Sequence, residues 1–114
     1  MVKMIPYGRQ FLDKEDIINV NNVLKSNYLT QGKYVPNFEK LLQLKVKVKY
    51  AVACNSATSA LHIACLSLDL KRNDIVWTSP NSFIASANCA EYCGAKVDFV
   101  DINFNTGNID IEFL

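Results

Sequence analysis

Apolar residues recur at helical spacing in two stretches near the start of the chain. The first stretch runs from Ile17 to Leu24 behind Asp13 and an acidic first turn, which predicts a helix that Asp13 caps and that ends near residues 26–27. A second helix is predicted from Pro36 to about Leu44, because the apolar residues after this proline have the same spacing. The N-terminal part of the chain is therefore predicted to be helical.

The pattern changes after the second predicted helix. Residues 45–49 alternate lysine with valine, which predicts the solvated edge of a strand, with a basic phosphate-binding cluster as the alternative. Further strands are predicted at 51–54, 75–78 and 96–100, separated by helical stretches that end near Leu68 and near Cys93, the latter before Gly94. This alternation predicts the α/β class, with a mainly parallel sheet and helices on its faces.

Composition and charge narrow the possible partners. The 114 residues include 12 Lys+Arg and 11 Asp+Glu, a balance that argues against nucleic acid or a membrane surface as the partner. The four cysteines lie in apolar stretches and lack zinc-ligand spacing, so reduced thiols in a cytoplasmic protein without a metal site are predicted. No Ser-His-Asp arrangement or acid-base carboxylate pair is evident.

Two polar connections are expected at the carboxyl ends of strands, where ligands gather in parallel sheets. In the first, Ser56, Ala57 and Thr58 open a helix, and either bind a phosphate through hydroxyl and backbone N–H groups or simply cap the helix. In the second, Phe83 follows a polar turn and is either a core residue or a flat surface for a heteroaromatic ring. Neither a Walker motif nor a G-x-G-x-x-G motif is present, which favours a single cofactor phosphate.

Ordered motifs along almost the whole chain resemble one known family. They include Leu-Thr-Gln-Gly at 29–32, Asn-Ser-Ala-Thr-Ser-Ala-Leu at 55–61, Ser-Phe-Ile-Ala-Ser-Ala-Asn at 82–88 and Phe-Val-Asp-Ile at 99–102. The chain resembles the DegT/DnrJ/EryC1/StrS sugar aminotransferases, which are pyridoxal-phosphate (PLP) enzymes of fold type I. The resemblance implies a helical segment with a substrate-site connection at 1–44. It also implies, at 45–114, the incomplete beginning of a three-layer, PLP-binding α/β large domain.

The resemblance also implies roles for individual residues. Ser56, Ala57 and Thr58 match the segment that holds the PLP phosphate, Phe83 matches the aromatic residue that stacks on the pyridine ring, and Asn88 matches an asparagine near the cofactor. The positions that match the nucleotide-sugar site are Tyr7, Asn27, Tyr28, Leu29 and Thr30.

For the complete enzyme, the resemblance implies transfer of an amino group from L-glutamate to a UDP-linked 4-keto-6-deoxy sugar, in a pseudaminic-acid-type or related surface polysaccharide pathway. It also implies a homodimer. The Schiff-base lysine is expected downstream of this chain, so the 114 residues alone are expected to be inactive. The alternatives are a PLP-dependent sugar dehydratase of the same family and a non-enzymatic α/β module that binds phosphate or a nucleotide.

Overall fold

Four α-helices and two β-strands make up the regular structure of the described residues. The computed structural model describes residues 4–114. The helices are α1 (Lys14–Leu24), α2 (Tyr34–Val46), α3 (Ala57–Ser67) and α4 (Ala85–Glu91), the strands are β1 (Ile75–Thr78) and β2 (Lys96–Phe99), and a 3₁₀ turn spans Ile111–Phe113. The chain divides into two compact units, one that ends at Ala51 and one that spans Val52–Leu114. The predicted domain boundary between residues 44 and 45 stays a prediction.

Helix α1 begins where the sequence predicts it. Asp13 Oδ1 accepts hydrogen bonds from the backbone N–H groups of Glu15 (2.8 Å) and Asp16 (3.0 Å), and Asp16 Oδ2 accepts one from the N–H of Asp13 (3.0 Å). This reciprocal capping box satisfies donors that would otherwise lack partners in the first turn. The helix ends at Leu24, slightly before the predicted end, and no residue of α1 is buried.

The prediction of a strand edge at residues 45–49 is wrong. Lys45 and Val46 form the last turn of α2, and Lys47 ends the helix in the left-handed conformation, with φ 57°. The N–H groups of Lys47 and Val48 both donate to Gln43 O, so the left-handed residue closes the helix on a carbonyl of its last turn. A regular alternation of lysine and valine therefore coincides with a helix end, because hydrogen bonding to the preceding turn outweighs the period-two pattern.

The prediction of a strand at residues 51–54 is also wrong. A strand is defined by pairing with a neighbour, and the sheet in residues 4–114 contains only β1 and β2. The other two predicted strands are confirmed, the first at the predicted bounds and the second one residue shorter. They pair in parallel, so the α/β prediction is confirmed.

The register of the small sheet places residues 75–78 of β1 opposite residues 96–99 of β2. Beyond the last pair, Val100 N–H donates to Thr78 O at 3.0 Å. Trp77 lies opposite Asp98, and its indole N–H donates to the Asp98 carboxylate at 3.4 Å. The carboxyl end of β1 leads directly into the polar turn that precedes Phe83.

The core of the second unit is small and lies around α4. This helix packs against α3, β1 and β2. The buried apolar side chains are Ala85, Cys89, Ala90, Ala95 and Val100, and Ala90 has no exposed surface. Short side chains therefore allow α4 to approach its neighbours closely.

Gly94 ends the turn after α4 as predicted, with φ +76°. We expect Gly94→Ala to lower the free energy of unfolding by about 1 kcal/mol, because an L-residue is strained in the left-handed region. A new Cβ meets no atom within 4 Å, so crowding adds nothing to this loss.

The measurement is the midpoint of urea unfolding for the purified protein. Gly8→Ala is the matched control, since its Cβ also meets no atom within 4 Å and no positive φ is recorded for this glycine. Equal unfolding midpoints for the two variants would contradict the strain argument.

Among residues 4–114, no helix combines the length and the hydropathy that crossing a membrane requires.

Candidate functional site

The turn after β1 and the start of α4 enclose a hollow of about 510 Å³. We call it the Phe83 hollow. It is lined by Thr78, Ser79, Pro80, Ser82, Phe83, Ile84, Ser86, Ala87, Asn88, Glu91, Val97 and Phe99. The Phe83 side chain is 74% exposed, so the interpretation of Phe83 as a core residue does not hold for the described chain. Its ring instead offers an open apolar surface at the carboxyl end of β1.

Polar groups accompany the ring in the Phe83 hollow. The hydroxyl oxygens of Ser82 and Ser86 lie 3.1 Å apart and share a hydrogen bond, while Ser79 Oγ accepts one from the N–H of Asn81 at 3.1 Å. Asn88 is half-buried and lies on α4. The hollow thus combines an aromatic surface with hydroxyl and amide groups, the mixture typical of sites for small molecules.

The N-terminus of α3 carries the predicted phosphate segment. Ser56 is the N-cap, and its Oγ accepts a hydrogen bond from Ser59 N–H at 3.1 Å. The first intrahelical bond runs from Ala60 N–H to Ser56 O, so the N–H groups of Ala57 and Thr58 precede the helical ladder. Ser56 therefore does cap the helix, as the simpler interpretation holds, yet two backbone donors at the positive end of the helix dipole stay available to an anion.

Two further polar residues of the motif at 55–61, Asn55 and Ser59, lie at this helix start. Ser59 Oγ donates to Asn55 Oδ1 at 2.9 Å and lies 3.0 Å from Ser56 Oγ. The spacing of three residues between Ser56 and Ser59 places both hydroxyls on the first turn of α3. The polar cluster is thus Asn55, Ser56 and Ser59, with Thr58 half-buried beside it.

The structure brings together only some of the predicted cofactor residues. Phe83 and Asn88 line the same hollow, whereas residues 56–58 do not line it. All of them lie in the unit Val52–Leu114, where α3 packs against α4. Their roles in binding a cofactor stay predictions.

The predicted substrate residues lie in the unit that ends at Ala51. Asn27 and Tyr28 line a second hollow of about 460 Å³, together with Ser26, Gln31, Gly32, Lys33 and Tyr34. Leu29 and Thr30 are exposed beside it but do not line it, and Tyr7 is fully exposed and outside it. We call this second feature the Tyr28 hollow.

A charged group in the Tyr28 hollow was not predicted from the sequence. The Lys33 Nζ lies 5.7 Å from the centroid of the Tyr34 ring, which is within cation–π range. A lysine directly after the Leu-Thr-Gln-Gly motif was the available signal. The hollow therefore presents phenol rings and one positive charge. In residues 4–114, no group of three or more His, Cys, Asp or Glu side chains is arranged to hold a metal ion.

Comparison with known proteins defines the family. The model of the DegT/DnrJ/EryC1/StrS aminotransferase family matches residues 10–114, and the chain belongs to this family. It is 49% identical over 107 residues to the UDP-4-amino-4,6-dideoxy-N-acetyl-β-L-altrosamine transaminase of Campylobacter jejuni (strain 81-176). That alignment covers 94% of this chain and 28% of the transaminase, so the chain spans less than a third of its relative.

Solved structures support the same fold assignment. The PLP form of the sugar aminotransferase Spr1654 from Streptococcus pneumoniae superposes with a TM-score of 0.89 at 28% identity, covering 96% of this chain and 28% of that one. PseC from Helicobacter pylori, an aminotransferase of pseudaminic acid biosynthesis, superposes with a TM-score of 0.85 at 42% identity. That superposition covers 95% of this chain and 29% of PseC. The described chain thus has the architecture of part of a PLP-dependent aminotransferase.

Proposed function

We propose that this chain is part of a PLP-dependent aminotransferase that moves an amino group from L-glutamate to a UDP-linked 4-keto-6-deoxy sugar. The observation that carries the proposal is the 49% identity, over almost the whole chain, to a transaminase of a UDP-linked amino sugar. The similarity to PseC supports a pathway of the pseudaminic-acid type. The working form is proposed to be a cytoplasmic homodimer.

The residues of the second unit fit the cofactor. The N–H groups of Ala57 and Thr58, with the Ser56 hydroxyl beside them, suit a phosphate at the positive end of α3. The exposed Phe83 ring suits the face of a pyridine, and Asn88 supplies an amide group in the same hollow. When bound, PLP supplies the electron sink that stabilises negative charge on the amino-acid Cα.

The chain's own contribution is to bind and orient. The helix terminus fixes the phosphate, and the Phe83 ring fixes the plane of the heteroaromatic ring and excludes water from one of its faces. Asn27, Tyr28, Leu29 and Thr30, with Tyr7, are proposed to contact the nucleotide sugar, because aromatic and amide groups around the Tyr28 hollow suit a phosphorylated, ring-containing ligand. The lysine that transfers protons is proposed to lie outside residues 1–114.

The test uses the full-length protein that contains this chain, supplied with PLP, L-glutamate and a UDP-4-keto-6-deoxy sugar. Mass spectrometry is expected to detect a UDP-4-amino sugar and an equal amount of 2-oxoglutarate. Loss of water from the sugar without gain of nitrogen would instead establish the dehydratase. Binding of PLP or UDP without either reaction would support the non-enzymatic module.

Two further measurements complete the test. Borohydride reduction of the PLP-loaded protein, followed by peptide mapping, is expected to find the pyridoxyl group on a lysine outside residues 1–114. The 114-residue chain alone is expected to form no amino sugar, and amination by the isolated chain would overturn the assignment of the lysine.

A further inference from the structure

Cys65 lies on α3 and Cys89 lies on α4, two helices that pack against each other. The contact between the helices is marked by the rings of His62 and Tyr92, whose centroids lie 5.3 Å apart at an interplanar angle of 61°. Cys65 follows His62 by one turn, and Cys89 precedes Tyr92 by one turn. Residues three apart share a helix face, so the ring contact turns both thiols toward the same interface.

The thiols of Cys65 and Cys89 are hydrogen-bonded neighbours, and Cys93 lies within electrostatic reach of Cys65. The Cys89 S–H donates to Ser86 O at 3.3 Å, which leaves the Cys89 sulfur to accept from Cys65. Cys89 is only 4% exposed, and Cys65 is half-buried. The fourth cysteine, Cys54, is exposed and lies outside this group.

The environment keeps the Cys65 thiol protonated near neutral pH, because it raises the pKa of that thiol. Burial, which is the largest cause, acts with the hydrogen bond to Cys89 and the nearby sulfurs of Cys89 and Cys93 to raise the pKa of Cys65 to about 11. Because the thiolate is the reactive form, Cys65 is slow to react at pH 7 and reacts faster at alkaline pH.

We propose that Cys65 and Cys89 form a dithiol–disulfide pair that joins α3 to α4 when a two-electron oxidant of the peroxide class reaches them. A disulfide needs Cβ atoms about 3.5–4.5 Å apart, so the bond forms when α3 and α4 bring the two Cβ atoms to that separation. A metal is the competing use of clustered thiols, but the described residues offer no group of three ligands.

The reaction is balanced in two steps. One sulfur attacks hydrogen peroxide, so that an S–O bond forms, the O–O bond breaks and the thiol proton leaves in a water molecule. The second sulfur then attacks the resulting sulfenic sulfur, so that the S–S bond forms and the S–O bond breaks, releasing a second water. Two thiols are oxidised by two electrons, and one peroxide is reduced to two waters.

The test treats the full-length protein with hydrogen peroxide, blocks the remaining thiols with iodoacetamide and maps tryptic peptides without reduction. Trypsin places Cys65 on the peptide 50–71 and Cys89 on the peptide 73–96. The double variant Cys54→Ser/Cys93→Ser leaves one cysteine on each peptide. The expected product is the two peptides joined, lighter than their sum by two hydrogen atoms and separated by a reductant.

Two controls distinguish a disulfide that the folded structure favours from one that forms by random collision of thiols. Adding Cys65→Ser to the double variant is expected to abolish the joined peptide. Raising the pH from 7 to 9 is expected to speed the attack of Cys65 on peroxide roughly 100-fold, because its thiolate fraction rises tenfold per unit below a pKa of about 11. Recovery of Cys65 and Cys89 as separate alkylated residues after peroxide, or as sulfonic acids, would overturn the proposal.

Discussion

Phe83→Ala in the full-length protein is expected to weaken PLP binding by about tenfold, which corresponds to about 1.4 kcal/mol of lost stacking. The Phe83 ring is 74% exposed and lines a hollow of about 510 Å³, so its removal deletes a contact surface and leaves no cavity in the core. Folding stability is therefore expected to change little. The measurement is a PLP titration that follows the absorbance of the bound cofactor.

Two variants control for this effect. Phe83→Tyr keeps a flat ring and is expected to bind PLP nearly as well as the natural protein. Phe104→Ala removes an equally large ring that is 98% exposed and outside the Phe83 hollow, and it is expected to leave the PLP affinity unchanged. If the PLP affinities of Phe83→Ala and Phe104→Ala were equal, the stacking role of Phe83 would be wrong.

Ala90→Asp is expected to destabilise the protein by about 3–5 kcal/mol, because it places an unpaired carboxylate in the core. Ala90 has no exposed surface, and α4, which carries it, packs against α3 and both strands. A larger side chain must also displace these neighbours. The measurement is the free energy of unfolding in urea, with circular dichroism as the signal.

The matched control is Ala64→Asp. Ala64 is an exposed alanine within α3, so aspartate there has the same unfavourable helix propensity without burial. Its cost is expected to stay below about 1 kcal/mol. Equal costs for the two variants would mean that α4 is not the centre of the folded unit.

Elements with local signals were predictable from the sequence. Asp13 carries its own capping box, Gly94 supplies the left-handed residue that ends the turn after α4, and the strand at 75–78 lies between polar turns. Each signal acts between residues close in sequence, where propensity and hydrogen bonding decide the outcome. The α/β class with a parallel sheet was then predicted from the alternation of these strands and helices.

Features that depend on distant neighbours were not predictable. Residues 51–54 have the composition of a strand but do not join the sheet of the described chain, and Lys47 closes a helix although the pattern around it alternates. At the candidate site, the sequence pointed to Phe83 and Asn88, but their shared hollow with Ser82 and Ser86 depends on how α4 packs on the sheet. The exposure of Phe83 likewise follows from tertiary packing.

The pairing of Trp77 with Asp98 gives the chain an internal optical reporter. Trp77 is the one tryptophan in the sequence, and its half-exposed indole donates to a carboxylate on the neighbouring strand. Separation of β1 from β2 breaks that hydrogen bond and hydrates the indole completely. The fluorescence of the unlabelled chain therefore registers whether the strand that leads into the Phe83 hollow is paired.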